Sequence, residues 1–218
     1  MKSSDRSSST SSRRTYDSSR RQAAAEERQR RVLEAATELF LTQGYGTTSI
    51  DQIAKAADVS PQSVYATFES KAGILERAMH LARVGDPAGH GRDLPEAADL
   101  MQTDDLQERC RATAALLRRM YEGSAAALIA IVERASAVDP QLADLHDRLR
   151  EQRRASVQQM SANVPANAFR RPRKELYDAM TFLSAAHTYT ELVDGMGWTP
   201  ARYEAWLADA LYQLQFAE

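Results

Sequence analysis

The stretch Thr47–Lys71, reading TTSIDQIAKAADVSPQSVYATFESK, contains two short helical patterns separated by three or four residues. In the first, Ile50, Ile53, Ala54 and Ala57 share one helical face. The hydroxyls before it offer two capping pairs, Thr48 with Asp51 or Ser49 with Gln52, and place a helix start near Ser49. Asp58-Val59-Ser60 interrupts the pattern: Val59 can plug the corner, and Ser60-Pro61 supplies an N-cap followed by the one helical position that welcomes proline. The second helix therefore begins at Pro61. Its Val64 and Phe68 can pack back, while Gln62, Ser63 and Tyr65 sit near its N-terminus, the end that a helix-turn-helix inserts into the major groove. Small Ala54 and Ala57 let the two helices cross closely. Any helical protein can contain a capped helix pair, so the pattern needs support from residues on either side.

That support lies in VLEAATELFLTQGYGTTSI upstream and YATFESKAGILERAM downstream. Together they read as a helix ending in Phe-x-x-x-Gly-Tyr, then Thr-Ser, Ile-Ala, Val-Ser, Tyr-x-x-Phe, Ser-Lys and Leu75. Over residues 26 to 83 this combination resembles the N-terminal domain of the TetR family of bacterial transcriptional regulators. The resemblance implies a DNA-binding domain in which Thr48, Ser49, Ser60, Gln62, Ser63, Tyr65 and Lys71 are the candidate contacts. A cation in the first turn of a helix opposes the helix dipole; for Lys71 the resemblance supplies a DNA phosphate as its reason. The chain departs from the family pattern at Asp58, where the turn commonly has glycine, at Thr67, where histidine is frequent, and at Pro61, a position that often contacts bases. Aspartate tolerates left-handed backbone better than most residues, so the turn survives.

Beyond this motif, composition decides the class. Glycine and proline are scarce, no alternating Val/Ile/Thr run appears, and Ala, Leu, Arg, Glu and Gln dominate, which predicts an all-α fold. The 218 residues suffice for one larger or two modest domains. The net charge of −2 does not advertise nucleic-acid binding, but residues 1–83 carry 13 basic against 10 acidic side chains and the remainder 15 against 20. A mildly basic front precedes an acidic body. A lone cysteine, Cys110, excludes an internal disulfide framework, and the lack of a signal-peptide core or long apolar run predicts a cytoplasmic location without membrane contact.

Three domains are expected. Residues 1–22, rich in Ser and Arg, read as a disordered tail: either solvated, or an arm laying Arg13, Arg14, Arg20 and Arg21 along phosphates or a minor groove. Residues 23–83 form the DNA-binding domain. Its first helix spans about Ala24 to Gln43, with Val32, Leu33, Ala36, Leu39 and Phe40 inward and Gly44 as its stop. Ser70 caps a further helix reaching about Arg83. The Gly/Pro stretch VGDPAGHGRDLP marks the boundary to residues 84–218, a larger helical domain for effector binding and dimerisation.

Within that domain a short helix after Pro95 is followed by helices over about 104–121 and 124–137, a long one opening at Asp139-Pro140, and one running unbroken from Pro172 to about Asp194. A terminal helix starts at Thr199-Pro200. The basic cluster Arg148–Arg154 reads as a solvated face. Phe182, Ala186, Tyr189 and Val193 form one face of the penultimate helix. Tyr203, Trp206, Leu207, Ala210, Leu211 and Leu214 form a broad stripe on the last. Intramolecular burial is one reading of these apolar faces; the family resemblance implies a four-helix bundle with a second subunit.

Enzymatic chemistry finds no footing. The four histidines are scattered, none in metal-ligating spacing with Cys110, and no glycine-rich phosphate loop occurs, so no catalytic residue, metal or cofactor is expected. Cys110 reads as inert. The expected function is that of a homodimeric transcriptional repressor on double-stranded operator DNA, released by a small-molecule inducer. Met120, His146, Tyr177, Met180 and His187 are the effector candidates, because flexible Met lines adaptable cavities and His or Tyr offers hydrogen bonds. The alternative is a DNA-binding regulator that is constitutive or answers to a protein partner.

Overall fold

The computed structural model describes residues 9–85 and 103–216, with side chains from Arg20 onward. These residues form ten α-helices and no strand. The chain divides into two compact units inside a helix: one ends at Ile74, the other begins at Leu75. The expected boundary in the Gly/Pro stretch lies downstream of this division. Residues 86–102, which include most of that stretch and the short helix expected after Pro95, lie outside the described residues.

In the first unit α1 spans Ser9–Thr42, α2 Ile50–Ala56 and α3 Pro61–Phe68, and α4, Lys71–Val84, begins there. The expected disordered tail over 1–22 is therefore corrected: residues 9–22 belong to α1, and residues 1–8 lie outside the described set. The Arg, Gln, Ala and Glu residues that follow are strong helix formers, and Gln22 bonds Glu26 one turn on at 3.1 Å. The inward face of α1 is Val32, Leu33, Ala36 and Phe40, all buried; Leu39, also expected there, is half-buried. Gly44, at φ 90°, closes this segment in the left-handed conformation, and Phe40 packs on Tyr45 with ring centroids 5.4 Å apart.

Of the two capping pairs before α2, the chain uses the second. Ser49 accepts from the Gln52 amide and the Gln52 side chain accepts from the Ser49 amide at 2.7 Å. The turn after α2 is closed by a pair of reverse hydrogen bonds, Val59 N–H to Ala54 O at 3.0 Å and Asp58 N–H to Lys55 O at 3.3 Å. This arrangement requires a left-handed residue after the helix, and Asp58 supplies it at φ 54°. The corner between α3 and α4 is tighter still. Glu69 sits at φ 63° and ψ −46°, and the Ser70 amide bonds the Phe68 carbonyl at 2.6 Å, which is a γ-turn on a non-glycine residue. Ser70 then caps α4 through the Gly73 amide.

In the second unit α5 spans Leu106–Tyr121, α6 Ala125–Ala135, α7 Pro140–Met160, α8 Arg173–Leu183, α9 Ala186–Thr190 and α10 Pro200–Gln215. A 3-10 turn, Ala166–Ala168, precedes α8, and a π-helical turn, Glu191–Gly195, follows α9. Side-chain oxygens of Asp105, Asp139 and Thr199 cap α5, α7 and α10. α10 lies along α5, α6 lies against α7 and α9, and α8 packs on α7 and α10.

The unbroken helix expected from Pro172 to Asp194 is corrected. Ser184 ends α8, and Ala185 turns extended at ψ 147° before α9 starts. No Gly or Pro marks this break; it is held by one distant and one local partner: the Tyr121 hydroxyl donates to the Ser184 carbonyl at 2.7 Å, and Thr188 Oγ1 donates to the Phe182 carbonyl at 2.9 Å. Carbonyls released from the helix are thereby satisfied.

A Cβ on Gly73 would stand 2.3 Å from the backbone oxygen of Phe68, an approach that no side-chain rotation relieves. Gly73→Ala is expected to destabilise the first unit by about 1–3 kcal/mol, the usual cost of overpacking. A thermal melt unchanged by this substitution would show that the α3–α4 corner is not held at this distance.

Candidate nucleic-acid interface

The first turn of α3 carries most of the candidate DNA contacts at its surface. Ser60, Gln62, Ser63 and Tyr65 are all exposed, Tyr65 by 53% despite its size. The reason is local: Val64 and Phe68 fall on the opposite face of the short helix and are buried, so the remaining positions turn outward. Ser60 accepts from the Ser63 amide at 3.2 Å, and the two hydroxyls share a hydrogen bond of 2.8 Å. The Gln62 amide makes no hydrogen bond to the described residues and keeps both its donor and acceptor ends for an external partner. α3 has no charged residue, so the attraction it offers an anion comes from the helix N-terminus and from neutral hydrogen-bonding groups.

The other three candidates are placed differently. Ser49 is exposed and its hydroxyl caps α2. Thr48 is 2% exposed, its hydroxyl directed inward to the carbonyls of Gly44 at 2.8 Å and Leu39 at 3.3 Å. Lys71 is half-buried. Its ammonium donates to the carbonyls of Tyr45 at 2.7 Å and Thr48 at 3.0 Å and lies 4.3 Å from the Tyr45 ring centroid. A cation at the head of α4, unfavourable to the dipole, thus has an internal reason for its position.

The five effector candidates are spread over four helices: Met120 on α5, His146 on α7, Tyr177 and Met180 on α8, His187 on α9. Met180 is buried and His187 exposed; the others are half-buried. The apolar stripe of α10 divides into two faces. Tyr203, Leu207 and Leu211, one turn apart, are buried within the chain, as are Ala186 and Tyr189. Trp206, Ala210, Leu214 and Val193 are half-buried, and Phe182 is 64% exposed.

Three residues that the sequence reading passed over stand out in the second unit. Tyr121, read only as a helix end, is buried at the α8–α9 break. Arg153, counted in a solvated basic cluster, is half-buried and within electrostatic reach of Tyr121. Arg83 lies within electrostatic reach of both. Heptad spacing offers no hint of this convergence. Cys110, expected on a polar turn, is 5% exposed beside Gln215, and burial pushes its thiol up to about 12. The inert reading of the cysteine therefore has a physical basis.

Comparison with known proteins adds to this geometry. Residues 32–78 match the sequence profile of bacterial regulatory proteins of the tetR family. A probable HTH-type transcriptional regulator of Bacillus subtilis, YttP, is 33% identical over 79 residues, 36% of each chain. The chain spans 25% and 36% of the length of two curated relatives that it matches. Among solved structures, NalD, the secondary repressor of the MexAB-OprM multidrug efflux pump in Pseudomonas aeruginosa, superposes with a TM-score of 0.67 at 20% identity. That superposition covers 89% of this chain and 99% of NalD. A regulator from Saccharomonospora viridis in complex with choline reaches 0.59 at 22% identity, over 88% and 99%. At these identities the structural likeness establishes the fold.

Lys71→Met retains the aliphatic stem and removes the ammonium. It should leave two carbonyls without their charged donor and lower stability without DNA by about 1.5–3 kcal/mol. Chemical denaturation checks this: a lysine serving only phosphates would leave the DNA-free midpoint in place.

Proposed function

We propose that this chain, a member of the TetR family of bacterial regulators through its N-terminal domain, acts as a homodimeric transcriptional repressor whose hold on DNA is set by a small molecule. The observation that carries the DNA-binding part is the first turn of α3, where Gln62, Ser63 and Tyr65 stand exposed at the capped, electropositive end of a short helix. Gln62 suits base edges, since its amide matches the donor–acceptor pair that adenine presents in the major groove, while Ser60, Ser63 and Tyr65 suit phosphate oxygens. Ser49 joins them at the capped start of α2. Thr48 and Lys71 act from behind, shaping the α1–α2 corner with their internal bonds.

One helix-turn-helix reads too few base pairs to stand out in a genome, so a second copy is needed. The half-exposed side of α10, with Trp206, Ala210 and Leu214, supports a self-association face, extended by Val193 and Phe182. The buried Tyr203, Leu207 and Leu211 hold α10 to its own chain. Inducer control is supported by the fold shared with a choline-bound regulator and an efflux-pump repressor. Such control is a population shift: the ligand favours a spacing of the two α3 helices that no longer matches successive major grooves roughly 34 Å apart.

Sequencing the genomic fragments bound by the purified protein yields the operator. On that site Gln62→Ala should relax preference at one position per half-site by about 1–3 kcal/mol. Equal losses on operator and random DNA would remove Gln62 from base reading.

Trp206→Glu combined with Leu214→Glu should convert the dimer to a monomer in light scattering while leaving the helical circular dichroism intact, since a dry interface does not hold unpaired charge. Leu207→Glu should instead unfold the second unit. A dimer that survives the first pair places the interface elsewhere.

A further inference from the structure

The outward face of α3 carries no group that reads guanine. Its exposed residues are Pro61, Gln62, Ser63, Tyr65 and Ala66. Guanine is recognised in the major groove by its two acceptors, O6 and N7, and the side chains that answer both are arginine and lysine. α3 contains neither. The basic residues on either side of it in sequence are engaged elsewhere. Lys55 belongs to α2, the helix that crosses the DNA backbone in a helix-turn-helix, and the Lys71 ammonium donates to the carbonyls of Tyr45 and Thr48.

What the face does offer is one amide and apolar carbon. Ser63 shares its hydroxyl with that of Ser60 at 2.8 Å, and Thr67 Oγ1 donates to the Ser63 carbonyl at 2.9 Å. Thr67 also lines the cleft between α3 and α1, beside Arg28 and Gln29, away from the outer face. Gln62 has no hydrogen-bond partner among the described residues, and exposed Ala66 follows it by four residues, which places the two one above the other on the same side of the helix. Pro61, at the first helical position, has no N–H and presents only carbon.

These side chains match one kind of base pair. An amide meets adenine with a donor and an acceptor, and a small apolar side chain meets the 5-methyl group of thymine. Four residues advance a helix by about 6 Å, and base pairs follow one another every ~3.4 Å, so Gln62 and Ala66 address positions about two pairs apart. The exposed carboxylates Asp58 and Glu69 stand at the two corners, outside the helix, where both hold left-handed backbone. A carboxylate that entered the groove would accept from the cytosine amino group, which gives that arrangement a different signature.

We infer that α3 reads A·T pairs: Gln62 takes an adenine, Ala66 takes the methyl group of a thymine about two pairs away, and Pro61 keeps the tip of the helix apolar. Ala66 is thus a specificity-determining residue, selecting thymine by its methyl group without a hydrogen bond. This deepens the DNA-binding reading above and rests on it.

The test uses the full-length chain and duplex DNA. Selection from a random-sequence duplex library gives the preferred site, and the same selection with Gln62→Ala marks the pair that Gln62 reads. Thymine should stand about two pairs from it, with no G·C preference between them. Replacing that thymine by uracil removes the methyl group and nothing else; it should weaken binding about fourfold in fluorescence anisotropy, the worth of one buried carbon. Ala66→Gly should bind the thymine and uracil duplexes alike. This readout is a ratio on one protein, so a less stable variant still reports it. Ala66→Arg should exchange the A·T pair for one containing guanine. Guanine or cytosine selected at these pairs by the unaltered chain overturns the inference, as does a uracil duplex bound as tightly as the thymine duplex. It is equally overturned if Ala66→Gly keeps the discrimination or if Ala66→Arg leaves the selected pair unchanged. Enrichment of no sequence at all overturns the DNA-binding reading together with it, whereas an enriched site indifferent to uracil overturns this inference alone.

Discussion

The placement of the helix-turn-helix depends on one charged group in an unfavourable position. Lys71 stands where the helix dipole repels a cation, and it stays because its ammonium bonds two carbonyls of the α1–α2 connection and lies over the Tyr45 ring. This ties the start of α4 to the segment that leads into α2. With Thr48 holding the same connection to the end of α1, the entry to α2 is fixed from both sides. α3 is then bounded by two tight corners: Asp58 closes the first in left-handed backbone, and Glu69 forms the second as a γ-turn, with Gly73 leaving room for the Phe68 carbonyl. An eight-residue helix has little stability of its own. Its orientation is imposed by these corners and by the burial of Val64 and Phe68.

Much of this was legible in the sequence because it is local. Ser-x-x-Gln before α2, Ser-Pro before α3, Ser70 before α4, and the Asp-Pro and Thr-Pro starts of α7 and α10 are short-range hydrogen-bonding and steric signals, and the structure uses each of them. What could not be read is what depends on distant partners. The break at Ser184 has no breaker residue; it exists because Tyr121, far away in the chain, takes up the freed carbonyl. The helical start at Ser9 was missed for a different reason: a Ser- and Arg-rich composition argues against packing, yet a helix continued outward from an anchored segment needs no packing of its own.

Function was legible to the same depth. The exposed face of α3 followed from spacing, because on a short helix the residues opposite Val64 and Phe68 have nowhere else to point. Lys71 was recognised as a residue needing an explanation, but its internal acceptors, backbone carbonyls contributed from earlier in the chain, have no sequence signature. Arg153 shows the limit most clearly. In sequence it is one of several arginines in a row; in the fold Arg148 and Arg154 are exposed and pair with carboxylates, while Arg153 is half-buried within electrostatic reach of Tyr121.

The neutrality of α3 bears on how such a protein would search a genome. From Thr47 to Lys71 the chain carries two lysines against two aspartates and a glutamate, so the reading surface contributes almost nothing to the charge-driven attraction that every stretch of duplex exerts. Residence on random DNA is short when that attraction is weak, and more of the binding free energy must come from contacts that only the correct bases provide. Any sequence-independent hold on the duplex would then have to come from outside this stretch, where the basic excess of residues 1–83 resides.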